Sequence, residues 1–182
     1  RDDSVERCDH SFSLSYRADV STPEDRLREL GLVLPAPTRV PAGLHLPFSF
    51  INVRGRRAVI SGHPKHGADG SIEGPYGKIG NELSTEQGRI AARDVGLSML
   101  ANLRVEIGSL DRVAGWLRVF GMVNSAEGYS EQHTVISGFS DLIIDVFGPE
   151  IGRHARSAIG VAGLPMNFAL EIEAEVELLP DD

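Results

Sequence analysis

The sequence predicts an α+β domain in which a mixed sheet carries two helices packed on one face. Three observations support this. Two segments, 84–107 and 131–148, repeat apolar residues at helical spacing. Five short runs read as strands, and the last, "ALEIEAEVEL" (Ala169 to Leu178), alternates strictly between apolar and acidic residues. These elements follow the order β-β-α-β-α-β-β after a short leading helix, an arrangement that builds two layers around one core.

Residues 1–21 are polar and without periodicity, and read as a tail; a single domain is expected over 22–180. The leading helix starts at "STPEDRLRELG". Thr22 can cap it, Pro23 suits its first position, Glu24 and Asp25 complement its dipole, and Gly31 stops it. "LVLPAPTRVPAG" has three prolines and should run extended over the surface. "FSFINV" and "AVISG" form a hairpin joined by "RGRR", where Gly55 can take a positive φ. Residues 63–83 read as a long loop.

"STEQ" offers a capping box, Ser84 with Gln87, ahead of the first long helix. Its stripe is Ala92, Val95, Gly96, Met99, Leu100, Leu103 and Ile107. "WLRVFGMV" is a strand. The second helix buries Val135, Phe139, Leu142, Ile143, Val146 and Phe147, and Gly148 should end it. A strand of small residues follows, Ser157 to Val161, headed by the cation Arg156. In the final strand Leu170, Ile172, Ala174, Val176 and Leu178 face the core, while Glu171, Glu173, Glu175 and Glu177 face away. Two helices cover only one face of such a sheet. The other face mixes glutamates with apolar residues and points to self-association.

Composition excludes several functions. A net charge of −8 and 6% aromatic residues, with no basic stripe, oppose nucleic-acid binding. No apolar run is long enough to span a bilayer, so no membrane partner is expected. One cysteine, Cys8, allows no internal disulfide, and a cytoplasmic setting is expected. His63-x-x-His66, with His45 nearby, lacks a third ligand and reads as surface imidazoles rather than a metal site. His133 and His154 read as polar or capping groups. The glycines of 67–80 do not connect a strand to a helix in the phosphate-loop pattern. Neither metal nor cofactor is expected.

"ARSAIGVAGLPMNFALEIEA" resembles the signature of the RidA/YjgF family of reactive-intermediate deaminases. The match rests on Arg156-Ser157, Ile159, Ala162 and Leu164, then Leu170-Glu171-Ile172. "AVISG" before a long loop and helix is similar too, and the likeness runs from about Pro23 to Leu178. His154 departs from it, standing where a small residue or Pro is usual. The resemblance implies one RidA-like domain with a chorismate-mutase-like fold, and a homotrimer with clefts between subunits. It also implies hydrolysis of enamine or imine intermediates to 2-keto acids and ammonia, so the expected ligand is a small 2-imino or 2-keto acid.

Arg156 falls on the family's carboxylate-binding arginine, and a guanidinium fork matches a carboxylate with two hydrogen bonds. Such a group should face a cleft, shielded from solvent, with Glu171 and Ser61 near it. A carboxyl group with a raised pKa can protonate an imine nitrogen and activate water. The alternating pattern does not choose among the four glutamates; the resemblance chooses Glu171, with Glu173 as a supporting acid. It also places Ser61 and Gly62 in the binding pocket, with Phe48 where Tyr is common, His63 where Gln is common and Ser137 where Asn is common. The backbone carbonyl of Ala158 would accept from the ligand nitrogen. Because Phe48, His63 and Ser137 are altered, a non-catalytic metabolite-binding homotrimer is the alternative reading. Ribonuclease activity, also attributed to parts of this family, ranks third.

Overall fold

A computed structural model of the chain describes residues 21–40, 42–43 and 45–180. The elements are α1 (Pro23–Glu29), β1 (Ile51–Arg54), β2 (Arg57–His63), α2 (Thr85–Ile107), β3 (Val113–Asn124), α3 (Gln132–Gly152), β4 (Ala155–Val161) and β5 (Leu170–Leu178). The order is the one read from the sequence. Of the polar tail, residues 1–20 and with them Cys8 lie outside the described residues; the Ser21 hydroxyl donates to Glu29 Oε1 at 3.0 Å.

Both predicted helix starts are capping boxes. The Thr22 and Ser84 side chains accept from the backbone N–H groups of Asp25 and Gln87, which reach back in return. Gly31 follows α1 at φ +63°. The second long helix departs from expectation at its end. Gly148 leaves helical geometry at φ 74°, but Pro149, well suited to a first helical position, starts a further turn that runs to Gly152.

The sheet order is β1-β2-β5-β3-β4, antiparallel throughout except for the parallel pair β3/β4 at one edge. The apolar residues of β5 pack under α2 and α3 together with Ala58, Ile60, Val119 and Val123. Its four glutamates lie on the opposite face with Val59, Phe120 and Arg118, so that face is mixed, as expected. Val59 is 45% exposed there and Ile159 on β4 is 40% exposed.

The hairpin holds the main local correction. Between Ile60 and His63 the β2/β5 register shifts, leaving Ser61 and Gly62 as a β-bulge opposite Glu173. One extra residue reverses the alternation. Arg57, Val59 and Ser61 point outward, but His63 turns into the core and is fully buried. The bulge also explains why β1 begins at Ile51 rather than at Phe48. The regular ladder ends at Ile51↔Ile60, and only the Ser61 N–H still reaches the Phe50 carbonyl, at 2.9 Å.

His66 is also buried, so the two imidazoles expected at the surface belong to the interior. His63 Nδ1 lies 2.7 Å from the Ser61 carbonyl and donates to it, which leaves Nε2 to accept from Asn102 at 2.8 Å. Asn102 binds the N–H and hydroxyl of Thr38, and that hydroxyl lies 2.9 Å from His66 Nε2. Burial lowers both histidines to about 4, so both are neutral near pH 7. The network ties the proline-rich segment to α2. As expected, residues 32–40 form no regular element. Beyond Thr38, Ala36 and Arg39 anchor the segment to the 65–73 loop through backbone hydrogen bonds.

Candidate active site

The Ser61–Gly62 bulge is the floor of the candidate site. Bulged residues are displaced from the pleat, and a glycine there lets another group approach the backbone closely. That group is Glu171: a Cβ on Gly62 would stand 3.0 Å from Glu171 Oε2. Above this contact opens a cavity of about 430 Å³, lined by Ser61, Gly62 and Glu171 and walled by the apolar side chains of Val40, Leu46, Phe48, Phe50 and Ile72 and by the Pro165–Phe168 turn. Phe48 is on this wall, 53% exposed, with its ring 5.7 Å from that of Phe50 in an edge-to-face pair.

The structure separates Glu171 from the three other glutamates of its row. Glu177 pairs with Arg56 at 2.8 Å, Glu175 with Arg57, and Glu173 with Arg118 at 3.9 Å. Among the described residues no cation pairs with Glu171. Burial in apolar surroundings raises its carboxyl above the ordinary value of 4.5. An acid with a raised pKa at the floor of an apolar cavity is a candidate for proton exchange with a ligand. Alternation alone does not predict this difference, because it comes from the neighbouring strands.

Arg156 is placed elsewhere. It pairs with Val119 on the edge strand β4, and its side chain lies toward α3 rather than toward the glutamate row. Nη1 donates to Ser140 Oγ at 3.1 Å and Ser137 Oγ at 3.4 Å, and Nη2 donates to the His133 carbonyl at 3.4 Å. Ala158 lies two residues further on the same face, half-buried against the core. Within one chain, then, Arg156, Ser137 and Ala158 form one group, and Phe48, Ser61, Gly62 and Glu171 another. The two groups are separated by strand β3 and face opposite sides of the sheet. Within the single chain Arg156 is exposed and lies away from Glu171 and Ser61. Among the described residues no carboxylate neutralises it.

His63, expected among the pocket residues, points away from the cavity into the buried network. Sequence reasoning also missed Ser140 and the role of His154. His154 Nδ1 donates to the Gly152 carbonyl at 2.7 Å, so Nε2 accepts from the Ser140 hydroxyl at 3.0 Å. Burial, with the Arg156 charge nearby, lowers the His154 pKa and keeps the ring neutral. With its proton committed to His154, Ser140 Oγ presents lone pairs to Arg156. The signal available in the sequence was the spacing of Ser137 and Ser140, three apart on one helix face, opposite a histidine unusual for its position.

Comparison with known proteins gives the same grouping. No family model matches the chain. Protein TCP17 of Trypanosoma cruzi is 39% identical over 153 residues, covering 84% of this chain and 91% of that protein. The crystal structure of a candidate endoribonuclease from Shewanella oneidensis is similar with a TM-score of 0.75 and 29% identity, over 86% of this chain and 99% of the other. RidA from an Antarctic Psychrobacter has the same fold, with a TM-score of 0.51 at 19% identity over 79% of this chain and 94% of its own. Residues 155–178 carry the signature, the fold that presents them is shared, and the similarity to TCP17 spans nearly all of that relative: the chain belongs to the RidA/YjgF family.

Proposed function

We propose that the protein hydrolyses 2-imino acids, or the enamines in equilibrium with them, to 2-keto acids and ammonia at a site completed by a second copy of the chain. The observation that carries this reading is the raised, cation-free Glu171 at the floor of an apolar cavity. The chain's own partner for a substrate carboxylate, Arg156, is turned away from that cavity, uncompensated by any described acid and free of the glutamate row. A cleft between two copies, in a homotrimer, would bring the arginine of one to the glutamate of the next.

In such a cleft the guanidinium holds the substrate carboxylate and so fixes the C=N bond over Gly62. Protonated Glu171 gives its proton to the imine nitrogen. A water then adds to the carbon and Glu171, now ionised, takes a proton from it. Transfer of that proton to the amino group expels ammonia, and the hydroxyl proton returns to Glu171 as the carbonyl forms. The groups supplied by the chain are an acid, an anchor and a dry wall, so the reaction needs no cofactor. A cytoplasmic setting fits a reaction on free metabolites by a chain with one cysteine.

The test is ammonia release from imines generated in place by an amino acid oxidase. Acceleration over buffer that is lost in both Arg156→Ala and Glu171→Gln supports the reading. No acceleration, or full activity in Arg156→Ala, overturns it. A second reading, binding without turnover, is favoured by one observation: Phe48 offers no hydroxyl and the Ser61 hydroxyl is committed to the Ser49 carbonyl at 2.8 Å, which leaves few polar groups for water. Saturable 2-keto-acid binding with no ammonia release would favour that reading.

A further inference from the structure

We infer that the imino acids taken by this site carry a bulky apolar side chain, of the kind derived from leucine, methionine or phenylalanine; the inference rests on the deaminase reading above. The reacting carbon must lie within reach of Glu171, over the Gly62 backbone. Its carboxylate leads out of the chain toward the arginine of a second copy. The third substituent is then directed into the cavity.

That cavity measures about 430 Å³. Volumes of this order accommodate whole ligands, well beyond a methyl or ethyl group. Its wall is formed by Val40, Leu46, Phe48, Phe50, Ile72 and Phe168. The hydroxyls that border it are committed within the protein. Ser61 Oγ donates to the Ser49 carbonyl, and Thr38 Oγ1 is shared between Asn102 and His66. A short side chain would leave most of this apolar wall against water, whereas a branched or aromatic one would displace that water and bury its own surface.

Residues 38–40 and 46–50 supply part of the wall, Val40, Leu46 and Phe48 among them, and the Thr38–Asn102 hydrogen bonds hold Thr38 against α2. Phe48 contributes to the preference directly, since it lines the cavity with an apolar ring and no hydroxyl.

Calorimetric titration of the full chain with 4-methyl-2-oxopentanoate and with pyruvate tests the inference without requiring turnover. The larger keto acid should bind at least about tenfold more tightly, since each buried methylene strengthens binding severalfold. Val40→Trp, which fills the cavity from an exposed position, should reduce that ratio below about threefold. Equal affinities, tighter binding of pyruvate, or a ratio unchanged in Val40→Trp would overturn the inference. Ammonia release separates it from the deaminase reading. A retained preference with no turnover of leucine- or alanine-derived imine sinks the deaminase and keeps the ligand class. A kcat/KM for the alanine-derived imine equal to that for the leucine-derived one sinks the ligand class and keeps the deaminase.

Discussion

Glu171 differs from its three neighbours through what surrounds it. Each of the others faces an arginine, whereas Glu171 faces a glycine bulge and an apolar cavity. Glu171→Gln should therefore lower kcat by at least about 100-fold, the scale of a lost general acid–base, while leaving the fold intact by circular dichroism. Gly62→Ala should also lower kcat, because its Cβ would stand 3.0 Å from the carboxylate oxygen and displace it. Arg156 belongs to a different chain of contacts: the Gly152 carbonyl accepts from His154, His154 from Ser140, and Ser140 from Arg156. On the deaminase reading, Ser140 and His154 would act by positioning Arg156. Ser140→Ala should raise KM about two- to tenfold with kcat nearly unchanged, and Ser140→Thr, which keeps the hydroxyl, should restore KM. A Ser140→Ala enzyme with wild-type KM would remove them from the site.

At the scale of elements, the β2 bulge links the site to stability. It turns His63 inward, where burial lowers its pKa from 6.5 to about 4. His66, in the same network, is lowered likewise. Their folded-state values lie below the unfolded ones, so the stability linked to them is fully present above pH 6.5. It is lost as pH falls toward 4, because the unfolded chain takes up protons first. One such histidine accounts for on the order of 2 kcal/mol between pH 7.5 and pH 5. Denaturant midpoints at those two pH values should fall further apart in the wild type than in His63→Gln; an equal fall would show that His63 is not linked. Between the helices, Gly138 packs against the backbone carbonyl of Arg89 so closely that a Cβ has no room. Gly138→Ala should cost about 1–3 kcal/mol of stability, read from urea unfolding, because neither backbone can yield cheaply.

These elements also show what was legible in the sequence. Helix periods, the Thr22 cap, the Ser84–Gln87 capping box and the alternation of β5 were local signals, and all appear in the structure. The bulge was not legible. It inserts one residue against a strand more than a hundred positions away, and nothing local marks "ISGH" as the place where alternation reverses. Phe48 falling outside β1 and His63 falling inside the core both follow from it. The turn after Gly148 was missed for a simpler reason: a glycine that ends one helix can precede a proline that begins another turn.

The whole molecule has a sheet with one covered and one open face. Val59, Phe120 and Ile159 share the open face with the glutamate–arginine ladders. Among the described residues no helix is long and apolar enough to cross a membrane. If copies associate through this face, Val59→Glu should lower the sedimentation coefficient to that of a monomer and abolish ammonia release, with the secondary structure retained. Sequence motifs singled out Arg156 and Glu171 and set them near one another at a cleft, but did not show where each lies within one chain. That placement depends on sheet order, which sets β3 between their strands and turns their side chains to opposite faces.

A site shared between copies can be tested by mixing two inactive variants. Arg156→Ala retains Glu171, and Glu171→Gln retains Arg156. In oligomers formed at random from equal amounts of the two, about one cleft in four receives both intact groups, one from each neighbour. Co-refolded or co-expressed mixtures should therefore recover about a quarter of wild-type ammonia release, while each variant alone stays at the buffer rate. A mixture as inactive as its components would contradict a cleft built from Arg156 of one copy and Glu171 of the next.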